Sequence, residues 1–304
     1  MINRYDHKGL VWIDLEAPTN DEARQIMEEF QIDPLVAEEL LTPSVKPKVE
    51  TYPDFIYLIL HFPAFKHTHK AEHNQEIDFI VGKHFLITAR YDTIDPLHKF
   101  AKVFEVHSIL AKEQGVEHGG TLLYHMLRKL YHAVEHELDF IRDELSDIER
   151  NIFEGREREM VISLSEVSRA LLNFKQAMAM HRTILESFDK ASSHFFSEDF
   201  SYHVRTVIGQ YQRIQNDILS NLDTLDELRE TNNSLLTIKQ NEITKTLTIM
   251  AFTTFPLTLI AAIFSMDTKN TPLVGNPFDF WIVLGIMLLT STTFFAYFKH
   301  RGWL

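Results

Sequence analysis

Three hydrophobic patterns follow one another along the chain. From Leu10 to about Tyr91, short apolar runs alternate with helix-like stretches. LVWIDLE from Leu10, DFIYLILHF from Asp54, EIDFIV from Glu76 and HFLITARY from His84 read as strands. Gly82-Lys83 sits between the last two, which predicts a hairpin. Thr19 followed by Glu22 matches a capping box that opens a helix through Phe30. Asp33-Pro34 supplies the cap and first residue of the next helix. This is a mixed α/β pattern with enough residues for its own core.

After Gly119-Gly120 the period changes. Leu123, Leu127, Leu130, Val134, Leu138, Ile141, Leu145, Ile148 and Ile152 recur at spacings of three and four, a coiled-coil-like stripe that Gly155 ends. A second stripe runs through Leu164, Leu171, Phe174, Met178, Ile184 and Phe188. A third starts near Asp199 and passes through Val207, Ile214, Ile218, Leu222 and Leu228. No proline interrupts the third before Pro256, which predicts one helix of roughly 100 Å at about 1.5 Å per residue. Such a helix cannot bury its faces alone, so self-association is expected.

The third pattern is continuously apolar. Leu247–Phe264 and Phe280–Phe298 contain no charged residue, and each approaches the roughly 20 residues that cross a hydrocarbon core of about 30 Å. They predict a membrane hairpin. The resulting division is an α/β domain over 1–118, stalk helices over 119–246, membrane helices over 247–264 and 280–298, an external loop over 265–279 and a basic tail over 299–304.

Charge gives the orientation. Lys239 and Lys245 precede the first span, and Lys299, His300 and Arg301 follow the second, whereas the loop sets Lys269 against Asp267 and Asp279. The Lys/Arg bias predicts both termini in the cytoplasm and a multi-pass protein of the cytoplasmic (inner) membrane. MINRYDHKGLVWIDL has no apolar core of the signal-peptide kind. The chain lacks cysteine, which fits a reducing compartment and equally an exported protein without disulfides. A net charge of −13 argues against a nucleic-acid partner and suits one that handles cations.

Within the first span, Asn241, Thr244, Thr248, Ala251, Phe255, Thr258 and Ala262 share one helical face, polar or small except at Phe255. If several copies surround an axis, this face lines a pore, and its oxygens offer outer-sphere contacts to a hydrated hard cation such as Mg²⁺. Leu247 or Phe255 would form a dewetting constriction. The alternative is that these hydroxyls hold helices together.

The stretch NEITKTLTIMAFTTFPLTLIAAIFSMD from Asn241 resembles the pore helix of the CorA family of divalent-cation transporters, as do WIDLEAPTNDEA, KPKVETYPDFIYLIL, EIDFIVGKHFLITARYD and the terminal FKHRGWL. The resemblance implies a homopentameric funnel in a lipid bilayer, with an α+β cytoplasmic domain, long stalk helices and a two-helix membrane hairpin. Its pore would be lined by Asn241, Thr244, Leu247, Thr248, Ala251, Phe255 and Thr258, with Lys245, Lys299 and Arg301 as a basic cytoplasmic ring. Divalent cations, Mg²⁺ first and Co²⁺, Ni²⁺ or Zn²⁺ besides, would be substrate and regulator, with no prosthetic group.

Two departures stand out. Where the family has Gly-Met-Asn at the pore entrance, this chain has Ser265-Met266-Asp267. Five Asp267 carboxylates would attract divalent cations more strongly than amides, and their crowding would raise some of their pKa values. Variants of the tripeptide also occur in the ZntB branch, which moves Zn²⁺. The family's interfacial regulatory carboxylates align with Phe65 and Thr206, which cannot bind Mg²⁺; Asp199, Asp217 and Glu230 are nearby candidates.

The chain has sixteen histidines. His61, His67, His69 and His73 cluster around one inter-strand loop, and His67, His69 and His73 with Glu72 or Glu76 form a candidate N/O set for Zn²⁺ or a similar ion. His132 and His136 lie one turn apart beside Glu135 and Asp139. The run Asp143, Glu144, Asp147, Glu149 reads as a solvated helix face. No cysteine nucleophile, Gly-rich phosphate loop or HExxH is present, so no enzyme is expected. Three readings result: a pentameric Mg²⁺ channel-transporter, a ZntB-like Zn²⁺ carrier coupled to protons, and a weakly conducting membrane-anchored metal sensor or scaffold.

Overall fold

The computed structural model describes residues 1–7, 9–44, 46–63, 75–92, 94, 96–102, 118–266 and 278–303. They form two compact units, Met1–Arg229 and Glu230–Leu304.

The first unit is built on a six-stranded sheet. Its strands are β1 (Ile2–His7), β2 (Leu10–Glu16), β3 (Val49–Thr51), β4 (Phe55–Phe62), β5 (Gln75–Gly82) and β6 (Phe85–Arg90), in the order β1-β2-β6-β5-β4-β3. The β2–β6 pair is parallel, with Trp12 opposite Leu86, and the other pairs are antiparallel. The four strands expected from sequence are present. The sequence reading missed β1 and β3. β1 is an edge strand, INRYDH, whose outer positions carry charge, so it shows no apolar run; Arg4 pairs there with Asp6 and Glu29. β3 is three residues long, too short to show a period.

Strand alternation sends side chains to two cores. One face carries Ile13, Leu15, Tyr57, Ile59, Ile80 and Ile87 against Ile26, Ile32, Val36 and Leu40. Those last residues belong to or border α1 (Asn20–Phe30) and α2 (Pro34–Glu39). Both expected caps form: Thr19 and Glu22 make the reciprocal box, and the Asp33 carboxylate accepts from the Leu35 amide at 2.9 Å. The other face carries Trp12, Ile56, Leu58, Leu60, Phe62, Phe79 and Leu86, all fully buried. It packs against α3 (Gly119–Phe153), α4 (Glu157–Met178) and α5 (His181–Phe195). α3 begins at Gly119 because nothing larger fits: a Cβ there would lie 2.3 Å from the Gly82 and Phe85 carbonyl oxygens.

The second sequence stripe is two helices rather than one. The chain tightens at Ala179, whose amide bonds Gln176 O, and then restarts at His181. The turn brings His181, Ile184, Leu185 and Phe188 into the core, and no Gly or Pro announces it.

α6 runs without interruption from Phe200 to Ser265 with Pro256 inside it, so it crosses from the first unit into the second. In the first unit it runs parallel to α3: Gln210 reaches Glu135 at 3.3 Å and Arg142 reaches Asp217 at 3.8 Å. Its buried seam is Phe200, Val204, Val207, Tyr211, Ile214, Ile218, Asn221, Leu225 and Leu228, a strict alternation of fours and threes. The seam passes through Asn221 rather than the expected Leu222, which is half-buried. The Asn221 amide nitrogen has no hydrogen-bond partner among the described residues.

Two buried polar clusters brace the sheet. Trp12 Nε1 donates to Thr88 Oγ1 at 3.1 Å, Thr88 donates to Asp14 at 2.8 Å, and Arg90 bridges Asp14 at 3.1 Å and Glu16 at 3.0 Å. On the helix-bearing side His181 is fully buried. Its Nδ1 lies 2.7 Å from the Tyr131 hydroxyl and its Nε2 lies 2.8 Å from the His61 carbonyl, with its ring stacked on Tyr211. The carbonyl can only accept, so Nε2 carries the proton and Nδ1 accepts from Tyr131.

The second unit contains the C-terminal part of α6 and α7 (Asp279–His300). Both helices are long and apolar enough to cross a membrane. Val283, Met287, Thr290, Ser291, Phe294 and Phe298 form the more covered side of α7.

A polar helix face with a basic end

On α6, Asn241, Thr244, Leu247, Phe255 and Thr258 share one exposed face, with Ala251 half-covered among them. Leu247 is 60% and Phe255 73% exposed, comparable with apolar side chains on the other faces of these helices such as Leu259 at 62%. Thr248 stands at the margin of this face and also borders the cleft between α6 and α7. Toward the N-terminus the same face continues through Thr237, Ser234 and Glu230, which line a shallow groove.

The threonines have a particular polarity. Thr244, Thr248 and Thr258 donate their hydroxyl hydrogens to the carbonyls of Gln240, Thr244 and Thr254, at 2.9, 2.7 and 2.9 Å. This back-bonding uses up the donor of each hydroxyl. What points outward is oxygen lone pairs, an acceptor surface. A hydrated cation turns its water hydrogens outward, so its shell and this surface are complementary.

Ser265 is the last residue of α6, its hydroxyl bonded to Ala262 O at 3.0 Å, and Met266 beside it is exposed. Asp267 lies outside the described residues. At the opposite end Lys245 Nζ donates to Gly302 O at 3.1 Å, which ties α6 to the tail that follows α7. Lys299 and Arg301 are exposed there, so the three predicted basic residues sit at one end of the unit.

The other candidates are scattered. Among the described residues no three His, Asp or Glu side chains gather as a metal-ligand set. His67, His69 and His73, like Phe65, lie outside the described residues. Asp199 is exposed just before α6, Asp217 faces Arg142, and Glu230 is exposed about 20 Å further along the same helix. Thr206 is exposed and back-bonded to Tyr202 O. His132 and His136 are exposed on α3, and Asp143, Glu144, Asp147 and Glu149 form an exposed face as expected.

His61 is a structural group. Its Nε2 lies 2.8 Å from Ser44 O and 3.0 Å from the Glu76 carboxylate. Burial works against its cation, but Glu76 and the Ser44 carbonyl outweigh that, and its pKa is raised. Asp78, two residues along the strand from Glu76, is held well above the usual carboxylate range by burial and by Glu76. The sequence reading also missed an aromatic cleft between α6 and α7, lined by Phe252, Phe294, Tyr297, Phe298 and Trp303. Its signal was the concentration of aromatic residues beside a basic terminus.

Comparison with known proteins agrees with this architecture. The CorA-like Mg2+ transporter protein family model matches residues 7–300. The cobalt/magnesium transport protein CorA of Thermotoga maritima is 25% identical, over 98% of this chain and 85% of that protein. The complete structure of the CorA magnesium transporter from Methanocaldococcus jannaschii superposes with a TM-score of 0.83 at 22% identity, covering 99% of this chain and 93% of that one. The cytoplasmic domain of ZntB from Vibrio parahaemolyticus gives 0.56 at 16% identity, over 76% of this chain and 89% of that one. With a match over nearly its whole length, the chain belongs to the CorA-like Mg2+ transporter family.

Proposed function

We propose that the chain is a channel-transporter that assembles as a homopentamer and passes divalent cations, Mg²⁺ foremost, across the cytoplasmic membrane. The observation that carries this is the exposed face of α6, where outward-pointing hydroxyl oxygens alternate with uncovered Leu247 and Phe255 in an otherwise apolar helix. In lipid the outward hydroxyl oxygens go unmet, whereas around a shared axis they face water and line a wet path.

In this reading Asn241, Thr244, Leu247, Thr248, Ala251, Phe255 and Thr258 line the pore. Ser265, Met266 and Asp267 form the entrance, and Lys245, Lys299 and Arg301 the basic cytoplasmic ring. The α/β domain over 1–118 and the stalk over 119–246 stay in the cytoplasm with both termini. Relatives named as magnesium and cobalt/magnesium transport proteins support Mg²⁺ and Co²⁺ as cargo. The departure from Gly-Met-Asn to Ser265-Met266-Asp267 leaves a second reading, a Zn²⁺ carrier of the ZntB kind, in which variants of the tripeptide also occur.

The test is uptake into proteoliposomes, one ion at a time, with native mass spectrometry on the same preparation. The proposal expects a pentamer and saturable Mg²⁺ entry. A stable monomer or dimer overturns the shared pore, and Zn²⁺ uptake without Mg²⁺ uptake selects the second reading.

A further inference from the structure

The end of α7 holds a cleft beside the polar face of α6, and Thr248 borders both. Its volume is about 500 Å³, within the range of small-ligand sites. Phe252 from α6 and Phe294, Tyr297 and Phe298 from α7 form its walls, and Arg301 and Trp303 stand at its mouth. The tail builds that mouth by folding back. The Gly302 amide bonds Lys299 O at 3.1 Å, the Trp303 amide bonds Phe298 O at 3.0 Å, and Gly302 takes φ +69. Trp303 thereby stacks on Phe298 with centroids 5.8 Å apart, and Lys245 fastens the turn from α6. Arg301 lies over the Tyr297 ring at 5.8 Å and has no carboxylate partner among the described residues.

An apolar trough with a guanidinium and an indole at its mouth, at the end of an apolar helix, has the chemistry of a membrane interface. We propose that this cleft binds an anionic phospholipid, with the headgroup phosphate on Arg301 and an acyl chain along Phe252, Phe294 and Phe298. A planar guanidinium is matched to phosphate oxygens. A second copy of the chain is the alternative occupant, and the experiment separates the two. The inference rests on the reading that α6 and α7 cross a membrane.

The experiment uses the full-length protein in phosphatidylcholine vesicles doped with brominated phosphatidylglycerol or brominated phosphatidylcholine, which quench nearby indoles. Difference spectra against Trp303→Phe and Trp281→Phe separate the Trp303 and Trp281 signals. Trp281, at the far end of α7, reports insertion alone and should be quenched by both lipids. Trp303 should be quenched at several-fold lower content of phosphatidylglycerol than of phosphatidylcholine. Arg301→Gln should reduce that preference by about fivefold, the effect of one basic charge at an anionic surface. Equal quenching by the two lipids overturns the proposal. So does the absence of Trp303 quenching, which means that a second copy covers the cleft. Abolition of the preference by inorganic phosphate overturns it too, since the site then takes a free anion. Loss of Trp281 quenching identifies failure of the membrane reading itself.

Discussion

His181 makes the stability of the first unit depend on pH. Burial lowers its pKa from 6.5 to about 4, against the pull of the His61 carbonyl, which accepts from Nε2 and favours the cation, while the nearby His61 ring adds to the lowering. In the unfolded chain the same ring titrates near its ordinary value of about 6.5. The unfolded state therefore binds more protons between those two values, and stability falls as pH drops through that window. Between pH 7 and pH 5 the loss from this one group is about 2 kcal/mol. At 2–4 °C per kcal/mol for a unit of this size, the thermal midpoint should fall by about 4–8 °C. Other groups titrate too. His61, with its raised pKa, contributes stability below its ordinary pKa that is lost as pH rises, and so acts in the opposite direction. Asp78, also raised, loses stability as pH climbs through its own window. The clean measurement is therefore a difference. His181→Gln keeps a donor for His61 O and an acceptor for Tyr131 but does not titrate. The midpoints of parent and His181→Gln in detergent should converge on moving from pH 7 to pH 5. A constant gap at both pH values would refute the reasoning.

Leu247→Ala or Phe255→Ala should raise resting ion leak in proteoliposomes; unchanged leak in both variants places the constriction elsewhere on α6. Asp267→Asn should weaken divalent capture at low concentration and flatten the pH dependence of uptake, and an unchanged affinity and pH profile would make the carboxylate irrelevant. Arg90→Met leaves Asp14 buried beside Thr88 without its cation, and should destabilise the sheet by about 3–5 kcal/mol, read from thermal or denaturant midpoints. Asp14→Asn in that variant should recover part of the loss; no recovery means that the charge is not the cause.

Local chemistry was the most legible part of this fold. The Thr19–Glu22 box and the Asp33-Pro34 start form as their residues predict, because a cap is settled within one turn. The polar face of α6 was legible for a similar reason, since helical spacing alone puts Thr244, Leu247, Ala251 and Phe255 on one side. Features that depend on partners were not. β1 is held by its pairing with β2, not by any apolar run of its own. The break between α4 and α5 follows from His181 finding its partners on β4 and α3. The aromatic cleft joins Phe252 to Phe298, residues on separate helices that no sequence period connects.

The amide in the α3–α6 seam governs how α6 can move. Asn221 occupies a place in the heptad that leucine or isoleucine takes elsewhere, and α3 packs alongside in parallel. A polar side chain at such a position fixes one register, because any slip carries the amide onto an apolar neighbour and an apolar side chain into its seat. The pair is keyed like a shaft. α6 cannot ratchet along α3 by a turn, and the one proline in the helix, Pro256, lies well beyond the seam that ends at Leu228. Within the first unit, displacement of α6 must therefore be carried with α3 rather than past it.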